Sequence, residues 1–138
     1  MKHIVNTAWS GKMKFDSEVN GHHFMMDAAE EVGGENAGPR PKALMLSALA
    51  GCTGMDVVSI LKKMKVEPEY FNIRTEAELT DEHPKVYSKV YIIYEFRGNN
   101  LEMEKLKKAV ELSQEKYCGV SAMYKKAMEL TYEIQILL

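Results

Sequence analysis

One apolar segment limits what this chain can fold into more than any other feature of its sequence. Between Ala43 and Leu61 the only charged residue is Asp56, and apolar residues occur on all sides of a helix drawn through 42–65. A helix without a polar face is either buried all round or lies in a membrane. Its length approaches the roughly 20 residues that span a bilayer.

Polar groups within this segment favour a buried helix over a membrane span. Asp56 would cost about 2.5–3.5 kcal/mol at the centre of a membrane helix. Hydroxyl groups recur along the segment, at Ser47, Thr53 and Ser59. Small residues on the helix let a second backbone approach closely, and 138 residues are few to surround such a helix. We therefore expect no membrane span, and we expect the helix to be buried against a second copy of the chain in a homodimer.

The rest of the chain predicts an α+β fold in a single domain, residues 1–138. Turn signals at Ser10-Gly11 and Asn20-Gly21 predict an N-terminal antiparallel β-meander, since Asn-Gly is the strongest signal for a two-residue hairpin turn. A Gly- and Pro-rich loop then leads into the central helix. Residue patterns predict that a β-hairpin follows, with strands at 70–80 and 85–97. Two helices at 101–116 and 120–127 and a closing strand at 130–137 complete the prediction. This order is typical of an α+β fold with a mainly antiparallel sheet.

Composition and motifs argue against several functional classes. The net charge of -2, with basic and acidic residues interspersed, is unlike that of a nucleic-acid-binding protein. The N-terminus has no apolar run of signal-peptide length, which predicts a cytoplasmic protein with reduced thiols. The histidines do not have metal-site spacings and no phosphate-binding loop is present, so we expect neither a metal nor another cofactor.

The two cysteines are the candidates for chemistry. Cys52 lies within the apolar helix, where a free cysteine is most often a small core residue. Cys118 is expected to follow one helix and open the next, where unpaired N–H groups lower a thiol pKa. Either cysteine alone is a weak candidate. The pair is a stronger one if the fold brings the two together, which their spacing leaves open.

The surroundings of both cysteines resemble those in the OsmC/Ohr hydroperoxide-reductase superfamily. The glycine-rich loop 33–38, a Pro-containing turn and an alanine-rich helix lead to Gly51-Cys52 in the order found in that family. The segment 115–121, which contains Cys118, is similar to the motif of the second cysteine. The segment 9–11 resembles the first strand turn. The two cysteine segments are most similar to a YhfA-like branch of the family.

This resemblance implies a fold, a mechanism and partners. It implies an OsmC-like fold in an intertwined homodimer, with active sites at the subunit interface. Cys52 would attack an organic hydroperoxide as a thiolate, and Cys118 would resolve the sulfenic acid as a disulfide. An external dithiol, of lipoyl or thioredoxin type, would then reduce the disulfide.

The chain departs from the family pattern around the first cysteine. Arg40-Pro41-Lys42 stands where the family has a glutamate after an Asn-Pro step, and the N-terminal strands lack the arginine that holds the thiolate. Lys12, Arg40 and Lys42 are therefore the candidates to stabilise a Cys52 thiolate, and Glu35 is a candidate to orient one of them.

Two functions stay open at this point. One is a thiol peroxidase for organic hydroperoxides that uses the Cys52/Cys118 pair. The other is a non-peroxidase dimer that binds a small apolar ligand or acts as a thiol redox sensor.

Overall fold

The computed structural model describes all residues from Met1 to Leu138 and contains two compact units, residues 1–47 and 48–138. The first unit holds three strands and a short 3-10 turn, and it includes the first residues of helix α1. In chain order the helices and strands are β1 (Asn6–Trp9), β2 (Phe15–Val19), β3 (His22–Met26), α1 (Leu44–Lys63), β4 (Tyr70–Leu79), β5 (Tyr87–Arg97), α2 (Met103–Leu112), α3 (Gly119–Tyr124) and β6 (Glu129–Ile136). The predicted α+β class and element order are confirmed.

The first unit is built on the predicted antiparallel meander. Its sheet has the order β1-β2-β3, and Phe15 on β2 lies opposite both Trp9 and Met26. The turn between β2 and β3 has φ of 52° at Asn20 and 81° at Gly21. A type I′ turn requires positive φ at both central positions, so the Asn-Gly signal predicted this hairpin correctly.

The second unit contains a sheet in which β5 lies between β4 and β6. The β4–β5 hairpin is antiparallel, as predicted, whereas β6 pairs with β5 in parallel. The mainly antiparallel arrangement that we expected is confirmed, and the closing strand β6 is the exception. The reason is the connection: α2 and α3 lie between β5 and β6, and a helical crossover brings the next strand back in the same direction.

The core lies on one face of this sheet. Alternate β5 side chains point into it and are buried, namely Val90, Ile92, Tyr94 and Phe96. Helix α1 packs close to the same face, because a Cβ atom on Gly54 would lie 2.9 Å from Cδ1 of Ile73 on β4. Helix α2 adds further buried side chains, those of Leu106, Ala109 and Val110.

Helix α1 is buried along one face only within this chain. Its buried residues follow a four-residue spacing: Leu49, Thr53, Val57 and Leu61. Its other face is exposed and apolar, and it includes Ala48, Gly51, Met55 and Val58. By length and composition α1 could also cross a membrane, a test that core helices of soluble proteins pass as well. Burial of the exposed face against a second subunit stays a prediction.

Candidate functional site

The two cysteines meet in the second unit. Cys52 lies within α1 and is partly exposed, whereas Cys118 is buried, with 3% of its surface exposed. Both are free thiols, and Cys52 lies close enough to Cys118 to raise the pKa of the Cys118 thiol. The fold thus provides the proximity that the sequence spacing left open. The catalytic roles of the two residues stay predictions.

A π-helical turn delivers Cys118 to this position. The predicted helix 101–116 ends early as an α-helix, and the chain continues through a π turn over Ser113–Tyr117. Cys118 then adopts an extended backbone and caps α3, while its N–H bonds the carbonyl of Ser113 at 2.8 Å. Single π turns often occur at functional sites, since the wider turn changes the direction of the residues around it.

The environment of Cys118 raises the pKa of its thiol. Its Sγ accepts hydrogen bonds from the backbone N–H of Ser121 at 3.4 Å and from the Ser121 hydroxyl at 3.1 Å. Burial raises the pKa of Cys118 above its ordinary value and outweighs these two bonds, which lower the pKa, while the nearby Cys52 raises it further. The predicted helix-start position of Cys118 is correct. The expected lowering of its pKa was wrong, because desolvation of the thiolate dominates.

A buried polar cluster adjoins the cysteines. The Thr53 hydroxyl lies 2.7 Å from both the Tyr94 hydroxyl and the Ser113 hydroxyl. Gln114 donates from Nε2 to the Tyr94 oxygen at 2.8 Å, and Ser113 donates to Oδ2 of Asp56 at 2.9 Å. Burial raises the pKa of Tyr94 to about 12. The sequence analysis did not predict this cluster. The polar residues Thr53 and Asp56, which lie within an otherwise apolar helix, were the feature of the sequence that pointed to it.

Two of the charged candidates in the first unit, Glu35 and Lys12, form an ion pair. Glu35 pairs with Lys12 at 3.6 Å, and more closely with Lys14 at 2.7 Å, a partner that the sequence did not single out. The hydrogen bond from Lys14 is the main cause that lowers the pKa of Glu35. We expected Glu35 to orient one of three cations, and it contacts one of them, Lys12.

The other two candidate cations precede α1. Arg40 donates from Nη1 to Oδ1 of Asn36 at 2.7 Å and to the carbonyl of Gly38 at 3.0 Å. Lys42 is exposed in the turn before α1. Stabilisation of a Cys52 thiolate by any of these cations stays a prediction.

Asp27 organises the glycine-rich loop and was missed by sequence reasoning. Its carboxylate, 2% exposed, accepts the backbone N–H groups of Ala28 at 2.7 Å, Glu35 at 3.0 Å and Ala37 at 3.0 Å. The Ala37 bond is the largest cause that lowers the pKa of Asp27. The loop packs so closely that a Cβ on Gly34 would lie 2.0 Å from the Ala28 carbonyl oxygen, which explains the need for glycine.

The first unit also contains an apolar cavity. Its volume is about 540 Å3, and its lining includes Met13, Phe15, Met26, Val32 and Pro41. No group of three or more His, Cys, Asp or Glu side chains is placed to hold a metal ion. Asp27 and Arg40 also line this cavity.

Comparisons with known proteins agree with this architecture. The family model described as OsmC-like protein matches residues 33–133. Protein YhfA of Escherichia coli is 31% identical over 129 residues, which cover 93% of each chain. A hypothetical protein from Aquifex aeolicus has a similar crystal structure, with a TM-score of 0.84 and 31% identity over 100% of this chain and 99% of that one. The organic hydroperoxide resistance protein OhrB of Bacillus subtilis shares the fold, with a TM-score of 0.68, 16% identity, and coverage of 97% and 98%. The chain therefore belongs to the OsmC-like protein family.

Proposed function

We propose that this protein is a thiol peroxidase that reduces organic hydroperoxides through Cys52 and Cys118. The observation that carries the proposal is the contact between the two free thiols, one partly exposed and the other buried. Membership of the OsmC-like family supports a redox-stress role. The shared fold of a protein named for organic hydroperoxide resistance is consistent with this substrate class.

The two thiols suit different steps of the reaction. Cys52, the more accessible one, attacks the hydroperoxide as a thiolate; the O–O bond breaks, the alkoxide takes a proton to become the alcohol, and Cys52 becomes a sulfenic acid. Cys118, whose buried thiol has a raised pKa, then attacks the Cys52 sulfur. Its proton leaves with the hydroxyl group as water, and a disulfide remains. An external dithiol of lipoyl or thioredoxin type reduces this disulfide and is itself oxidised.

The assembly that we propose is a homodimer formed through α1. The exposed face of this helix carries Met55 at 77% exposure and Val58 at 54%, beside the small residues Ala48 and Gly51. Large exposed apolar patches commonly mark protein interfaces. A second copy of this chain is the proposed cover for this face, and the cytoplasm is the proposed location.

A second candidate function rests on the apolar cavity of the first unit. In this version the protein binds a small apolar ligand, and the cysteine pair serves as a redox sensor. The volume and the methionine-rich lining of the cavity favour it. The replacement of the family glutamate by the Arg40-Pro41-Lys42 sequence also favours it.

Stoichiometric peroxide treatment tests the peroxidase proposal. One equivalent of cumene hydroperoxide should convert both thiols of the wild type into one intramolecular disulfide, as measured by mass spectrometry. Cys52→Ser should consume no peroxide, whereas Cys118→Ser should complete one turnover and leave a sulfenic acid on Cys52 that dimedone traps. We expect hydrogen peroxide to react more slowly. Two free thiols in folded, peroxide-treated wild type would exclude the peroxidase and leave the ligand-binding dimer.

A further inference from the structure

The buried polar cluster joins the two elements that carry the cysteines. Thr53 follows Cys52 directly in α1, and Ser113 begins the π turn that ends just before Cys118. Their hydroxyls lie 2.7 Å apart, and both residues are fully buried. This contact, together with the bond from Ser113 to Asp56, holds the π turn against the helix at the level of the thiols.

The hydrogen bonds of the cluster run in one direction. The Ser113 hydroxyl donates its hydrogen bond to Oδ2 of Asp56. Ser113 in turn accepts from Thr53, Thr53 accepts from Tyr94, and Tyr94 accepts from Gln114. Each hydroxyl therefore donates once and accepts at least once, and no buried side-chain nitrogen or oxygen lacks a partner. A displacement of the turn along α1 would break several of these bonds at once, which costs free energy because the atoms are buried.

A further bond ties the end of α3 to the same turn. Lys125, which ends the helix that Cys118 caps, donates from Nζ to the Gln114 carbonyl at 2.7 Å. The segment that carries Cys118 is thus held from both sides. Apolar side chains could fill the same space, but they would allow small shifts of the turn along α1 that this hydrogen-bond pattern excludes.

We propose that Thr53, Asp56, Tyr94, Ser113 and Gln114 form a polar clamp that positions Cys118 for bond formation with Cys52. A disulfide requires Cα atoms within about 7 Å and a narrow range of dihedral angles, so its formation depends on how the two segments are held. The clamp residues are positioning residues and do not touch substrate. In the reaction proposed above, on which this role rests, they accelerate the attack of Cys118 on the Cys52 sulfenic acid.

Equilibration with glutathione tests the clamp without any hydroperoxide. In this exchange the two thiols form a disulfide while one oxidised glutathione becomes two reduced ones, and the equilibrium gives the effective concentration of one thiol at the other. Ser113→Ala and Thr53→Val should each lower it by about tenfold or more, since each removes the bond between the Thr53 and Ser113 hydroxyls that joins the two segments. Thr53→Ser keeps the hydroxyl and should stay within about twofold of wild type.

The matched control is Thr75→Val, which removes a hydroxyl from β4 in the same unit and outside the clamp. It should leave the effective concentration unchanged. A role of the cluster in stability alone would affect the dithiol and disulfide forms equally and would not move this equilibrium.

Equal effective concentrations in wild type, Ser113→Ala and Thr53→Val would overturn the clamp. A wild type that forms only mixed disulfides with glutathione would overturn it as well. If Thr53→Val fails to fold, Ser113→Ala and Tyr94→Phe decide the question. Failure of the peroxidase proposal is recognised separately, by the lack of a sulfenic acid on Cys52 after peroxide treatment, while the glutathione equilibria still decide the clamp.

Discussion

The Ser121 hydroxyl lies 3.1 Å from Sγ of Cys118 and donates a hydrogen bond to it, beside the 3.4 Å contact from the backbone N–H of the same residue. Both residues are buried. The two donors lower the pKa of the Cys118 thiol, whereas burial raises it and prevails. Ser121 therefore limits how unreactive this buried thiol becomes.

Replacement of Ser121 by alanine should make Cys118 less reactive. With one donor lost, the pKa of Cys118 rises further, so less thiolate is present at any pH below it. Since a hydrogen bond to a charged group is worth about 1.5–3 kcal/mol, alkylation at pH 8 should slow by about tenfold. The measurement is iodoacetamide alkylation in the Cys52→Ser background, with Ser59→Ala on α1 as the control. Equal rates in both variants would show that the backbone N–H and burial alone set this pKa.

The loop held by Asp27 should loosen in acid. Since the folded-state pKa of Asp27 lies below its unfolded value of about 3.9, its stabilising effect is complete above that value and is lost as pH falls through the folded pKa. Hydrogen exchange at the Glu35 and Ala37 amides should show protection above about pH 4 that disappears in stronger acid.

Asp27→Asn should weaken this protection at every pH. An amide keeps one acceptor oxygen but turns an NH2 group toward backbone N–H donors, so exchange at Ala37 should speed up by about tenfold. Asp16→Asn, on the neighbouring strand, is the matched control. Protection at Ala37 that persists in Asp27→Asn would mean that loop packing, and not the carboxylate, holds the segment.

Gly51→Leu should disrupt the proposed homodimer. A Cβ atom at Gly51 meets nothing within 4 Å, so the substitution leaves the chain's own packing intact while adding bulk to the exposed face of α1. Gly54 is a poorer site for this test, because its Cβ would contact Ile73 of the same chain. Sedimentation at micromolar concentration should show a dimer for wild type and for the control Lys63→Leu, and monomer or aggregate for Gly51→Leu. A stable wild-type monomer would refute the dimer.

One of Lys12, Arg40 and Lys42 is predicted to favour the thiolate of Cys52. A positive charge within about 4–6 Å typically lowers the pKa of an acidic group by roughly 1–3 units, because it favours the ionised form. In the Cys118→Ser background, alanine at the effective position should slow alkylation at pH 7 by about tenfold or more. Lys85→Ala, far along the chain in the β4–β5 turn, serves as the control. If all three alanine variants are alkylated at the same rate as the Cys118→Ser parent, none of these cations activates Cys52.

The sequence by itself determined the order and type of the elements. Asn20-Gly21 predicted the β2–β3 hairpin because positive φ at two successive residues is a local requirement. The apolar run around Cys52 predicted α1 to within two residues at each end, since helix formation depends on neighbouring residues. The surroundings of the two cysteines also sufficed to predict the family, which the comparisons confirm.

Tertiary structure alone decided how distant residues meet. The parallel pairing of β6 with β5, the contact of Cys52 with Cys118, and the bond between Thr53 and Ser113 each join segments far apart in the chain, and no local pattern encodes such contacts. The raised pKa of Cys118 was misjudged for the same reason. A helix N-terminus is visible in a sequence, whereas desolvation depends on every side chain that packs around the thiol, and here desolvation has the larger effect.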